Sequence, residues 1–190
     1  MLRSGSFGGD IGRVLVSPEE IAARVKELAD QIVEDYLSNP NPILMICILK
    51  GAMPFFVDLA RAIGDRLQIE EDCMILASYH GGTASSGAVK IVTDLRTSIS
   101  NRDIIIVEDI VDSGHTLSAL LNLLRTRTPN SIRVCALLNK RVRERDVHVP
   151  IHYQGFEIPE EFVVGYGLDY QEGFRHLPFI GVLKPEVYRR

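Results

Sequence analysis

Residues 104–116, Ile-Ile-Ile-Val-Glu-Asp-Ile-Val-Asp-Ser-Gly-His-Thr, constrain the chain more than any other stretch. Four β-branched residues without polar alternation predict a strand buried on both faces. Glu108 and Asp109 follow side by side, and Asp112 stands just before Ser113, Gly114, His115 and Thr116. Leu117, Leu120, Leu121 and Leu124 then recur at helical spacing. The expected order is strand, acidic turn, small-residue loop, helix.

A helix that starts at the carboxyl end of a parallel strand presents unpaired N–H groups and the positive end of its dipole. Ser113, Gly114 and Thr116 let the backbone come close to a ligand and add hydroxyl groups, which suits a phosphate. Three carboxylates at the same place would repel a bare phosphate. They fit a ligand that also offers sugar hydroxyls, a magnesium ion or a transient cation. Neither Gly-x-x-x-x-Gly-Lys-Ser/Thr nor Gly-x-Gly-x-x-Gly is present in the stretch. Asp112, Ser113 and His115 do not make a hydrolytic triad, whose members converge from separate segments.

The 190 residues suffice for one domain with a substantial core. A net charge of −4 argues against a general nucleic-acid or membrane-surface binder. Cys47, Cys73 and Cys135 are isolated within apolar runs and form no metal or disulfide pattern, so buried, inert thiols are expected. Residues 1–13 are Gly/Ser-rich and lack an apolar signal core, and no apolar run is long enough to span a bilayer. A reducing, cytoplasmic setting follows as the expectation.

Ser17-Pro18-Glu19-Glu20 predicts a helix start with a capping box, and Ile21, Val25, Leu28, Ala29, Ile32, Val33 and Tyr36 mark its apolar face. Residues 43–49 form a second solid apolar run, hence another buried strand, ending at Leu49-Lys50-Gly51-Ala52. The helix after it should bury Phe56, Leu59, Ala60 and Ile63. This turn offers a glycine and a lysine at a strand end, a second candidate anion site. Further strands are expected at 73–79 and 88–95, separated by a loop rich in glycine and serine, and at 132–138. Arg141, Arg143 and Arg145 with Glu144 and Asp146 read as a solvated face. Short β-like pieces follow at 156–159, 162–170 and 179–183. Tyr170, Gln171 and Glu172 read as ordinary loop residues.

The run Glu108-Asp109-Ile110-Val111-Asp112-Ser113-Gly114-x-Thr116 after a buried strand resembles the phosphoribosyl-pyrophosphate (PRPP) motif of type I phosphoribosyltransferases. Leu49-Lys50-Gly51, Ser78-Tyr79 and the segment 162–175 resemble, in the same order, the pyrophosphate loop, the start of a mobile loop, and the base-recognition region of the hypoxanthine-guanine branch. The resemblance covers about residues 43–183. It implies an α/β fold, a mostly parallel twisted sheet flanked by helices. One domain spans 1–190, with a small hood made by the N-terminal residues and roughly 150–190.

It also implies a division of labour. Residues 112–116, His115 included, would bind the 5′-phosphate. Glu108 and Asp109 would hold the ribose hydroxyls directly or through Mg2+, and Asp112 would be the catalytic general base toward purine N7. Lys50, Gly51 and Arg175 would hold pyrophosphate. In this family the peptide entering that lysine can be cis. Phe162 would stack on the purine, Val163 would accept from its edge through the backbone carbonyl, and Lys140 would donate to the 6-oxygen. Asp169, at the purine end of the site, would join Glu108 and Asp109 as a magnesium ligand. The mobile loop starting at Ser78 and Tyr79 would close over the site. The expected partners are PRPP and a 6-oxopurine, without nucleic acid or membrane, in a homodimer or homotetramer. Lys140 speaks against adenine, because two donors would then face each other. Xanthine stays open, as does a non-catalytic PRPP-binding regulator on the same fold.

Overall fold

The computed structural model describes residues 9–78, 89–141 and 147–189. A six-stranded sheet forms its centre, in the order β4-β3-β2-β5-β6-β7. Its strands are β2 (Ile43–Leu49), β3 (Ile69–Ser78), β4 (Val89–Thr93), β5 (Asp103–Val111), β6 (Ser131–Lys140) and β7 (Tyr153–Ile158). All neighbours are parallel except β3 and β4. Both faces of the central strands are buried, which is why their sequences run apolar without alternation. Along β2, Ile43, Met45 and Cys47 pack toward one core, and Leu44, Ile46 and Ile48 toward the other.

Helices α1 (Pro18–Tyr36) and α2 (Met53–Ile63) contribute to the first core, and α3 (His115–Arg125) to the second. The crossover β2-α2-β3 runs toward one edge of the sheet and β5-α3-β6 toward the other. Right-handed crossovers in opposite directions put their helices on opposite faces. A crevice opens between the carboxyl ends of β2 and β5, where the order reverses, and such a switch point is where open α/β sheets bind ligands.

A second, antiparallel sheet joins β1 (Ile11–Val16), β9 (Ile180–Leu183) and β8 (Val163–Val164) in the order β1-β9-β8. A short helix, α4 (Pro185–Tyr188), follows β9. This small sheet, the hood, thus joins an early strand of the chain to a late one. The capping box at Ser17 and Glu20 is present, with both reciprocal hydrogen bonds.

Several boundaries differ from the sequence expectation. Strand β3 starts at Ile69 instead of Cys73, because the acidic run Glu70-Glu71-Asp72 pairs with β2 through its backbone. In α2 Phe55 is fully buried beside Phe56, whereas Ala60 is half-buried. Residues 153–158 belong to the main sheet, so the hood begins beyond them. Of 162–170 only Val163–Val164 is strand. Beyond it Gly165, Tyr166 and Gly167 take left-handed backbone angles and turn the chain. Tyr79, the rest of the glycine-rich loop and residues 142–146 lie outside the described residues.

Candidate active site

The two central acids stand on a strand, not in a turn. Strand β5 continues to Val111, pairing Glu108 with Ala136 and Ile110 with Leu138 of β6. The sequence shows a break because the buried run ends at Val107, but backbone pairing continues where the strand leaves the core for the crevice. The paired backbone thereby sets where both acids stand. A cleft of about 160 Å³ opens along residues 108–114, Thr116 and Leu117.

Glu108 Oε2 is closed off from solvent and has no hydrogen-bond partner. Burial and then the neighbouring Asp109 raise the Glu108 pKa well above the carboxylate range. Asp109 is pushed up to about 6 by burial, against the pull of the Ile110 N–H, its own N–H and Arg175, with Asp169 adding to the rise. The Ile110 N–H donates to Asp109 Oδ1 at 2.8 Å. Two enclosed carboxylates, one with an orphan oxygen, suit a hard cation that takes oxygen ligands and completes its shell from substrate and water. Among the described residues, no three His, Cys, Asp or Glu side chains form a ready-made cation site.

Gly51 lies directly against this pair. A Cβ at Gly51 would stand 1.6 Å from Asp109 Oδ2, so any side chain there would displace the acid. The turn in turn supports the hood. A Cβ at Gly167 would lie 1.9 Å from the Gly51 carbonyl oxygen, and Gly167 has φ of +101°. The Leu49–Lys50 peptide is cis. Beside these contacts, the Tyr166 hydroxyl donates to Asp58 of α2 at 2.7 Å and ties the hood turn to the body.

Gly114, with φ of +87°, is the N-cap of helix α3, and no side chain caps the helix. Helix α1, by contrast, closes its own first turn with Ser17 and Glu20. Ser113 is exposed, and His115 and Thr116 are half-buried around this open helix start. Helix N–H groups left without a side-chain cap are of the kind that can receive an anion.

Parallel pairing brings the next group together. Val111 is registered with Asn139, so Asp112 and Lys140 are adjacent at the ends of β5 and β6. Lys140 Nζ donates to Asp112 Oδ2 at 2.8 Å across 28 residues of sequence. Lys140 is mostly covered, whereas Asp112 is exposed.

Arg175 is held from three sides. Nη1 donates to the Gly167 carbonyl at 2.8 Å, and Nη2 lies 2.7 Å from Asp169 Oδ1 and 3.3 Å from Glu172 Oε1. Lys50 Nζ donates to the other oxygen of Glu172 at 2.8 Å. Glu172, read from the sequence as a plain loop residue, therefore links both expected pyrophosphate ligands. Its partner Lys50 is 122 residues away, and no local pattern could reveal the contact.

Phe162 belongs to the hood. One face of its ring stacks on Tyr188 at 4.9 Å between centroids, and Tyr170 meets it edge-on at 5.7 Å. Val163 is buried and pairs with Val182. Backbone pairing of Ser78 with Val89 ends β3 where the glycine-rich loop begins.

Comparison with known proteins points the same way. Residues 15–171 match the family described as phosphoribosyl transferase domain. A hypoxanthine-guanine phosphoribosyltransferase of Mycobacterium avium is 50% identical over 188 residues, covering 97% of this chain and 91% of that protein. A solved hypoxanthine phosphoribosyltransferase of Staphylococcus aureus superposes with a TM-score of 0.89 at 43% identity, covering 98% and 99% of the two chains. The Trypanosoma cruzi enzyme in complex with the product IMP gives 0.88 at 39% identity, covering 98% and 100%. The chain also matches the bifunctional protein TilS/HprT of Listeria monocytogenes at 45% identity, and there it spans only 28% of the relative's length.

Proposed function

The chain belongs to the phosphoribosyl transferase family, and on that premise we propose that it is a hypoxanthine-guanine phosphoribosyltransferase of purine salvage. It transfers the 5-phosphoribosyl group of PRPP to N9 of hypoxanthine or guanine, giving IMP or GMP and pyrophosphate. The observation that carries the base assignment is the 2.8 Å contact between Lys140 and Asp112. A 6-oxopurine presents its 6-oxygen and N7 on one edge. Two neighbouring groups, a cationic donor and a carboxylate acceptor, match a 6-oxygen beside a protonated N7. A 6-amino group would leave Lys140 facing another donor.

In the reaction the bond from the anomeric carbon to pyrophosphate oxygen breaks and the bond to N9 forms. Asp112 takes the N7 proton as N9 attacks, and its charge favours the cationic sugar in the transition state. The open start of α3, with Ser113 and Thr116, holds the 5′-phosphate and fixes the sugar. Glu108 and Asp109 bind the ribose hydroxyls. Lys50, Gly51 and Arg175 receive the departing pyrophosphate. Phe162 stacks on the base, and the Val163 carbonyl accepts from its edge. Glu108 and Asp109, with Asp169 as a further candidate, would hold Mg2+, whose charge would offset that of the departing pyrophosphate. By the family resemblance, a loop beginning at Ser78 and Tyr79 would close over the reacting centre and keep water from the sugar cation; from Tyr79 on it lies outside the described residues.

The reading extends to a homodimer or homotetramer working in the cytoplasm on small molecules alone. Among the described residues no helix is long and apolar enough to cross a membrane. A spectrophotometric assay with PRPP, Mg2+ and hypoxanthine, guanine, xanthine or adenine supplied separately tests the proposal. Nucleotide should form with hypoxanthine or guanine and not with adenine. No product with any base would overturn the reading.

A further inference from the structure

Glu172 is a side chain that the reaction as described does not use. It stands at the tip of a tight turn closed by mutual hydrogen bonds between Tyr170 and Gly173 and by the Glu172 N–H donating to Asp169 Oδ2 at 2.9 Å. Gln171, Glu172 and Phe174 all have left-handed backbones, with φ of 50°, 63° and 72°. Left-handed angles cost a non-glycine residue free energy, and a run of them needs a compensating role. The turn presents the Glu172 carboxylate to the two cations assigned to pyrophosphate, one oxygen to Lys50 at 2.8 Å and the other toward Arg175 at 3.3 Å. The side chain is 64% exposed, so packing does not hold it there.

We propose that Glu172 is a built-in stand-in for pyrophosphate, keeping Lys50 and Arg175 oriented between turnovers and competing for them with the leaving group. Two oxygens spanning two cations reproduce the contacts a pyrophosphate would make. Arg175 keeps its contacts to Asp169 and the Gly167 carbonyl when Glu172 leaves, so displacement needs only rotation of an exposed side chain. The carboxylate then weakens pyrophosphate binding and returns to its place as the product departs. The inference rests on the assignment of Lys50 and Arg175 to the leaving group.

The sign of one substitution tests it. Pyrophosphate binding to the full chain, with Mg2+ present, is measured by calorimetry for the wild type, Glu172→Gln and Glu172→Ala. Both variants should bind pyrophosphate roughly two- to fivefold more tightly, as expected for loss of a competing exposed ion pair. The gain should shrink as salt screens the pair. Pyrophosphate should also become a correspondingly stronger product inhibitor. Equal or weaker binding in both variants, with binding intact in the wild type, overturns the competition and makes the carboxylate inert or supportive. Absence of pyrophosphate binding in all three proteins overturns the underlying site assignment as well.

Discussion

Asp112 and its neighbours Glu108 and Asp109 carry the same functional group in different surroundings, and the surroundings decide their roles. Asp112 is exposed and bonded to Lys140, so it stays accessible to a base. Glu108 and Asp109 are half-buried, and burial raises the pKa of each. A proton acceptor at Asp112 predicts a specific kinetic signature. Asp112→Asn keeps the shape and loses the base, so kcat should fall about 10²- to 10⁴-fold. PRPP affinity, measured by calorimetry, should change little. Near-normal turnover in that variant would remove Asp112 from the proton transfer. Lys50, Lys140 and Arg175, the cations assigned to the proposed site, are each paired with an acid assigned to it or beside it, a pattern the residue types alone could not disclose.

Elements matter here through their ends. Strands β2, β5 and β6 finish at the same edge of the sheet, and each delivers part of the site at its last residues or just after. The hood approaches this edge through the Gly167 backbone against Gly51, and Gly51 rests on Asp109. Replacing Gly167 should disturb both the fold and the proposed leaving-group site. Gly167→Ala incurs a left-handed penalty of about 1–2 kcal/mol. It also pushes its Cβ into the Gly51 carbonyl. Gly64→Ala is the matched control, with φ of +60° and open space around the added atom. Urea unfolding should show both variants destabilised, Gly167→Ala more so. Calorimetry should show pyrophosphate affinity lost only in Gly167→Ala. Equal affinities in the two variants would mean that the hood does not brace the Lys50 turn. Element boundaries were legible where burial was two-sided, as at Ile43–Leu49, and illegible where charge interrupted a paired strand, as at Glu70–Asp72 and Glu108–Asp109.

At the scale of the molecule the site is a cost to stability. Asp109 in the folded chain binds its proton up to about pH 6. In the unfolded chain it lets go near its ordinary value of about 3.9. The folded state therefore holds more protons between these values, and this group's contribution to stability falls as pH rises from about 4 to about 6. Asp109→Asn removes that loss. In magnesium-free buffer at neutral pH it should raise the thermal midpoint, by roughly 2–4 °C per kcal/mol relieved in a chain of this size. Near pH 4 the gain should vanish, and PRPP binding should be abolished throughout. A midpoint that is lower at neutral pH would show that the carboxylate stabilises the fold. Such a trade between stability and function is expected where charges are enclosed for a ligand.

The sequence by itself determined the two central strands, the capped first helix, the acidic motif with its open helix start, and the family these motifs resemble. Each of those signals is local: an unbroken apolar run, a capping box, a spacing of acids and small residues. Only the tertiary structure decided which distant groups meet. Register in the parallel sheet set Lys140 against Asp112, glycine contacts stacked Gly167 on Gly51 and Gly51 on Asp109, and a strained turn carried Glu172 to Lys50. Those contacts join residues that are far apart in the chain, so they depend on how strands align and backbones approach in space, and a reading of neighbours along the sequence does not contain them.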